Sequence, residues 1–358
     1  MKVLYGRNVN ELYVKGLQEL SDWGVHETSR NGDVVVSPLP VTSVYERPCE
    51  RVLLCRPSAN PFFHLMESLW MLAGRDDVAF LNHYISDFGK RYGDEDSIHG
   101  AYGHRWRHAL GFDQLEVVVQ RLQANPQDRQ CVVQMWDATS DHGVLFVGGG
   151  SEDLRGEWKD RPCNTHVYLR VRETLSTDAQ QFGTTNKFLD LTVCCRSNDI
   201  VWGAYGANAV HFSMLQEYLA GRIGVGVGRM YQVSNNYHGY ISELDKIGDP
   251  EAISINACYA NDGIQPVPIG TDWEHWDDDL KKFMTWHDAV WRGAVLASWV
   301  TMPHYWNDWF ADVAGVMVCA YHAHRRGVNQ ETTNRYLEVM TAPDWQLACR
   351  SWLEARRK

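Results

Sequence analysis

Apolar positions recur at three- and four-residue spacing through "NELYVKGLQELSDWG", which predicts an amphipathic helix ended by Gly24. The pattern then changes. "GDVVVSPLPVTSVYE" is a run of β-branched residues interrupted by Pro38 and Pro40, and predicts a strand broken by prolines. Helical spacing returns in "NPFFHLMESLWMLAGRDDVAFLNHY", holds to Gly74 and resumes after Arg75. "DQLEVVVQRLQANP" predicts a helix that Asn125-Pro126 stops. Three partly alternating, Val-rich segments follow as strands: "RQCVVQMWD", "THVYLRVRE" and "FLDLTVCCRSNDIVWG". "NAVHFSMLQEYLAGRIG" predicts a helix running to a glycine, and "GRMYQVSNNYHGYI" a strand followed by a polar loop. Beyond residue 270 the chain becomes aromatic and helical, and it closes on "RSWLEARRK". Helices mixed with long strands, without regular βαβ alternation, predict an α+β fold. The change in texture divides the chain into 1–270 and a helical, Trp-rich extension, 271–358.

Composition narrows this picture. A chain of 358 residues with 44% hydrophobic and 22% charged positions is long enough to bury a core without staples. Its net charge of −11 argues against general nucleic-acid binding, which depends on neutralising phosphates. Nine cysteines with no CxxC pair signal neither a zinc ribbon nor a disulfide framework. "MKVLYGRNVN" has no apolar signal region and no apolar run approaches membrane-spanning length, so a reduced, cytoplasmic protein is expected. Some of the 15 Trp and 16 Tyr could stack on a planar ligand.

The candidate chemistry begins in "RPCNTHVYLRV". Cys163 follows a proline and is flanked by Asn164, Thr165 and His166. An inert core thiol usually has apolar neighbours, whereas a reactive one needs polar partners and access. "CCRSND" sets Arg196, Ser197 and Asp199 at a strand end, where they could grip a phosphate and a heterocycle, or form a surface ion pair. Asn208 in "GANAV" is an N-cap or a reader of a ligand edge. "NNYHGY" offers His238 and Tyr240. Glu67, within "HLMESLWML", is either an edge residue facing water or a buried carboxylate fit for proton transfer. "HAHRR", at 322–326, reads better as a helix surface than as a metal site. A Cys–His hydrolase using Cys163 with His166 or His238, and an inactive nucleotide binder, are the competing classes.

Taken in order, these segments resemble the thymidylate synthase family, which includes phage-type pyrimidine nucleotide hydroxymethylases. The resemblance covers about residues 20–245. It rests on Glu67 in "ESLWMLAG", Tyr102 in "GAYGHRW", the Pro-Cys, the Arg-Ser-x-Asp, an Asn opening a helix, and a His-x-Tyr. It implies an α+β fold around a large mixed sheet flanked by helices, and a homodimer packed sheet to sheet. The implied reaction transfers a one-carbon unit from 5,10-methylenetetrahydrofolate to carbon 5 of a pyrimidine nucleoside monophosphate, with no metal. A thiolate adding at carbon 6 makes carbon 5 nucleophilic. By resemblance that thiolate is Cys163. Arg196, Ser197, Arg30 and, from the partner subunit, Arg129 would hold the phosphate. Asn208 would read the base, with the polarity that suits uracil. His238 and Tyr240 would hold the sugar, Glu67 and Tyr102 would move protons, and Asp199, Trp202 and Gly203 would meet the folate.

Several departures bear on the product. Asn164 follows the nucleophile where the family has His, and Gln130 follows Arg129 where it has a second arginine. One extra residue separates Gly203 from Asn208, and Asn198 matches the hydroxymethylase pattern. "YISDFGKRYG" lacks the family's folate-shielding tryptophan, and roughly a hundred further residues stand in place of a short closing tail. An exocyclic methylene on the ring becomes a methyl group if hydride reaches it and a hydroxymethyl group if water does. An open site favours water. The expected activity is therefore dUMP hydroxymethylation, ahead of thymidylate synthesis and of dCMP or CMP hydroxymethylation.

Overall fold

A computed structural model describes residues 1–29, 31–142, 144–147, 150–153, 159–173, 186–255, 259 and 263–356. Ten strands are described: β1 (Lys2–Gly6), β2 (Val25–Ser29), β3 (Gly32–Val36), β4 (Val41–Tyr45), β5 (Val132–Gln134), β6 (Val144–Val147), β7 (Gly150–Asp153), β8 (Asn164–Glu173), β9 (Lys187–Asp199) and β10 (Gly226–Tyr240). Eight form one mixed sheet in the order β1-β4-β10-β9-β8-β5, with β3 on β10 and β2 on β3, while β6 and β7 pair separately. The α+β expectation holds.

The amphipathic helix predicted first spans Val9–Trp23, and the Gly24 N–H closes it on the Leu20 carbonyl. The proline-broken strand is β3 and β4. The apolar helix is Pro61–Leu72, with every residue buried, including Glu67. Two expectations are corrected. The third Val-rich strand ends at Asp199, and "IVWG" leaves the sheet as part of a π-helical segment, Ile200–Ala207. The "polar loop" of "NNYHGY" is instead the end of β10, which pairs with β9 as far as His238. Asn236, Tyr237 and His238 lie beside Ser197, Asn198 and Asp199, so the polarity read as a loop belongs to two adjacent strand ends.

Alternation along β8 buries Val167, Leu169 and Val171 and leaves Tyr168 and Arg170 outward. The buried face of the sheet meets the Asn208–Ile223 helix, which packs in turn on Pro61–Leu72. Residues 271–356 add helices Trp276–Trp291, Val316–Arg325, Gln330–Glu338 and Pro343–Glu354, of which Val316–Arg325 and Pro343–Glu354 pack on Pro61–Leu72. Phe62 meets Tyr321 and Trp352 at 5.1 and 5.4 Å between ring centroids. Tyr84 stacks on Tyr321, and Arg107 and Arg222 both pair with Asp277. His322 and His324 pack their rings on Trp291 and Trp352. Among the described residues no helix is long and apolar enough to cross a membrane.

Candidate active site

Cys163 stands one residue before β8, and its carbonyl accepts the Arg196 N–H at 2.8 Å across to β9. The Arg196 side chain is thereby laid along the segment that carries the thiol. Its Nε and Nη2 donate to the carbonyls of Pro162 and Arg161, both at 3.0 Å, and Nη2 lies 3.8 Å from Cys163 Sγ. The guanidinium also sits over the Trp136 ring. Cys163 is half-buried, whereas neighbouring Cys195 is fully buried and its thiol is pushed well up by that burial. A cation beside an accessible sulfur favours the thiolate. Asn164, in place of the family's histidine, is fully buried and accepts from Cys195 Sγ at 2.8 Å.

Three proton-bearing groups are linked to this thiol through Tyr102, which feels Cys163, Asp160 and Glu67 alike. Glu67 is 7% exposed, and its Oε2 lies 3.0 Å from Nε2 of buried His211. The angle is not that of a hydrogen bond, and both atoms lack a hydrogen-bond partner among the described residues. The carboxylate thus lies against His211 with hydrogen-bonding capacity left for a ligand or water, and its burial removes the edge-facing-water reading of Glu67. Tyr102 opens the Tyr102–Arg107 helix. Its hydroxyl is raised well above the usual range by burial, then by the negative fields of Cys163, Asp160, Cys195 and Glu67. The third group was not foreseen. Burial pushes Asp160 up to about 6, with Arg196 acting to lower it and Glu67 to raise it. Its Oδ2 occupies the space that a Cβ on Gly100 would fill, at 2.4 Å. The Lys159 N–H, bonded to Asp94 Oδ1 at 3.3 Å, ties that segment down. Two residues before a Pro-Cys, an aspartate reads as surface; only the packing of 98–102 against it reveals its burial.

The second wall is built where β9 and β10 end. Asp199 Oδ1 accepts from Val201 N and Trp202 N, both at 2.7 Å, capping the π-helical segment. Its Oδ2 is buried without a hydrogen-bond partner among the described residues. Burial raises the Asp199 pKa, against the opposing effects of two backbone N–H groups, His238 and Arg56. His238 is its Cα partner on β10 and meets the Tyr240 ring edge-on. The extra residue before Asn208 is taken up in the π turn, where Gly206 has φ −89° and ψ −106°, so Asn208 still opens its helix. Asn208 Nδ2 donates to Asn198 Oδ1 at 3.1 Å, and Asn198 Nδ2 to Ser234 Oγ at 3.0 Å. Gly203 faces this pair: a Cβ there would come within 2.9 Å of Asn198 Oδ1. Ser197 is half-buried beside Asn236.

Trp202 is 52% exposed, and buried Arg56 lies over its ring while bonding the Val201 carbonyl. At the wall where the family's tryptophan is missing stand Phe88 and Tyr92, with ring centroids 4.9 Å apart. The Tyr92 hydroxyl is raised by burial and feels Tyr240, Asp160 and Asp199, so this wall is aromatic but carries a polar tip. Arg129 is not brought to the site. It precedes β5, whose pairing sets Val132 against Tyr168 and Gln134 against His166. At about 3.3 Å per residue that register carries Arg129 on the order of 20 Å from Cys163 of its own chain. Arg30 lies outside the described residues. A cleft of about 840 Å³ between Asp76, His104 and Asp137 is lined by none of the candidate site residues.

The sheet, the thiol beside a strand-end arginine, and the amide wall form a site suited to nucleophilic group transfer by a cysteine. Residues 11–252 match the thymidylate synthase family, and the chain belongs to it. The expected family and the folate-dependent one-carbon transfer to a pyrimidine nucleotide are thus borne out. A deoxyuridylate hydroxymethyltransferase of Pseudomonas phage M6 is 38% identical over 371 residues, spanning 100% of this chain and 95% of that protein. One from Bacillus phage SP01 is 34% identical over 66% of this chain and 57% of its own length. A putative thymidylate synthase of Methanosarcina acetivorans is 23% identical, matching 69% of this chain but 93% of its own length.

Proposed function

We propose that the protein adds a hydroxymethyl group to carbon 5 of dUMP. Cys163, its thiolate favoured by Arg196, attacks carbon 6 of the ring, and Arg196 with Ser197 receives the phosphate. Asn208 meets the base edge, and His238 and Tyr240 the sugar. Glu67 and Tyr102, with ordered water, carry protons to and from the ring. The fit for the folate lies in the second wall. The unpartnered Asp199 Oδ2 suits the donor groups of a pterin, and the half-exposed Trp202 face and the open surface at Gly203 suit its ring. Methylenetetrahydrofolate supplies the one-carbon unit there. The likeness to a full-length deoxyuridylate hydroxymethyltransferase supports the choice of substrate. An assembly in which Arg129 reaches the partner's phosphate accounts for its distance from its own Cys163, and the exposed, paired Val132 and Tyr168 offer one apolar spot on the sheet for such a contact.

The observation that carries the product assignment is where the added helical layer lies. Four of its tryptophans are engaged by rings within the helical layers: Trp276 on Tyr218, Trp291 on His83, Trp309 on Phe310 and Trp352 on Phe62. They do not serve as a lid over Cys163, and a methylene reachable by water becomes hydroxymethyl. The test is to incubate the enzyme with methylenetetrahydrofolate and dUMP or dCMP and to weigh the product. A nucleotide heavier than thymidylate by one oxygen, with tetrahydrofolate released, is expected. Thymidylate with dihydrofolate would show that the Phe88–Tyr92 wall excludes water after all.

A further inference from the structure

We propose that Asn198 is a specificity-determining residue that fixes the polarity of the Asn208 amide, anchored on Ser234, and so makes the site select uracil over cytosine. The inference rests on the reading that Asn208 faces the pyrimidine.

The three side chains form one buried chain of hydrogen bonds across two strands and a helix start. Ser234 is 1% exposed, Asn198 2% and Asn208 6%. Asn198 gives its NH2 to Ser234 Oγ, which turns its carbonyl toward Asn208. Asn208 answers with an N–H to that carbonyl. One N–H and the carbonyl of Asn208 then remain for a ligand. They form an acceptor beside a donor, the complement of the N3–H and O4 of uracil. Cytosine presents an acceptor at N3 and donors at its amino group, so it requires the Asn208 amide reversed. Reversal of Asn208 with Asn198 in place would set the two carbonyls against each other in a dry site, leaving two acceptors without a donor.

Ser234 can donate as well as accept, so the chain turns only as a unit: Asn208 can reverse only if Asn198 reverses with it, and the direction in place, with Asn198 Nδ2 on Ser234 Oγ, is the one that complements uracil. Space for the pair comes from Gly203. A Cβ there would stand 2.9 Å from Asn198 Oδ1 and 3.4 Å from Asn208 Nδ2, so any larger residue would press on the joint between the two amides. The register that sets these groups together is the parallel β9–β10 pairing, which aligns Asn198 with Tyr237 and Ser197 with Asn236.

The test compares kcat/KM for dUMP with kcat/KM for dCMP in four proteins: wild type, Asn198→Ala, Asn198→Asp and Asn208→Ala. Each ratio is internal to one preparation, so loss of active protein cancels. Asn198→Ala, which frees Asn208 to turn, should lower the dUMP preference on the order of tenfold or more. Asn198→Asp presents only acceptors to Asn208 and should hold the ratio within about threefold of wild type. Equal ratios in wild type and Asn198→Ala, with Asn208→Ala altered, would overturn the role of Asn198 while keeping that of Asn208. An unchanged ratio in Asn208→Ala would overturn both, and would show that the base is read elsewhere. A simple packing role for Asn198 predicts the same ratio in the Ala and Asp variants, and that result too would overturn the proposal.

Discussion

Cys163 is held by backbone on both sides, since Arg196 bonds the carbonyls of Arg161 and Pro162 as well as approaching the sulfur. Replacing the sulfur alone should therefore disturb little else. Cys163→Ser should abolish turnover while dUMP binding stays within about tenfold, because a hydroxyl is a far weaker nucleophile of nearly the same shape. Calorimetric titration beside a turnover assay checks both halves, and appreciable turnover would remove Cys163 from the mechanism. Asp160 gives a second expectation. With its carboxyl at about 6, next to Cys163 and Tyr102, it changes charge within the working range. Asp160→Asn should erase an ionisation near pH 6 from the kcat profile and slow turnover by roughly 100-fold if Asp160 moves a proton. A profile that keeps this ionisation in the variant would assign it to another group. Cys163, Arg196 and Asn208 were legible in the sequence because their motifs are local. Asp160 and the Ser234–Asn198 bond were not. Their meaning comes from Gly100 and from β10, both far away along the chain.

Elements were legible where period and breakers agreed, as in Val9–Trp23, Pro61–Leu72 and Asn208–Ile223, the last closed by Gly224 in a left-handed conformation (φ 84°). They were misread at Ile200–Ala207 and at the end of β10. An apolar "IVWG" extends a strand pattern equally well, and polar residues at a strand end look like a loop until a second strand end lies beside them. The Pro61–Leu72 helix carries an acid-sensitive group beside the site. Burial, then the charges of Arg56 and His211, holds His64 down to about 3. Its folded pKa is depressed below the unfolded value of about 6.5, so its contribution to stability is present above that pH and is lost as pH falls. The loss approaches about 1.4 kcal/mol per pH unit between about 6 and 4. Asp160 and Asp344, both raised to about 6, titrate with the opposite sign in this window. The difference between wild type and His64→Gln in urea unfolding isolates the histidine: the variant's stability should fall less steeply with acid. Parallel curves would mean that His64 is protonated at no cost in the folded protein.

At the scale of the whole molecule, the extension was legible as helical and Trp-rich, but its position was not. Which surface an amphipathic helix covers depends on partners that periodicity does not name. Its attachment runs through charge as well as rings, since Arg75 pairs with Asp288 and both Arg107 and Arg222 pair with Asp277, while a buried ion pair lies just before it. Glu217, 2% exposed on the Asn208–Ile223 helix, accepts from Arg51 and from the Ile269 N–H. Removing one member of such a buried pair strands the other charge. Glu217→Ala should cost about 3–5 kcal/mol in urea unfolding, whereas a loss below about 1 kcal/mol would mean that water reaches Arg51.

The distance of Arg129 from its own Cys163 makes a prediction about assembly. If each site borrows Arg129 from a partner, Arg129→Ala should raise KM for dUMP and leave the binding of a nucleoside without its phosphate unchanged, since a positive charge on the phosphate is what is lost. A subunit carrying Arg129→Ala keeps its own Cys163, and a subunit carrying Cys163→Ser keeps its own Arg129. Mixed as a heterodimer, they place both defects in one site and leave the other intact. Unfolding and refolding the two impaired proteins together should therefore recover turnover at a dUMP concentration well below the raised KM, and refolding each alone should not. Absence of recovery, with heterodimers verified by mass, would place Arg129 outside the phosphate site. The single arginine, followed here by Gln130 and not by a second arginine, also sets the expected size of the effect. A lone exposed cation reaching a phosphate is screened by salt, so the KM penalty of Arg129→Ala should shrink as ionic strength rises.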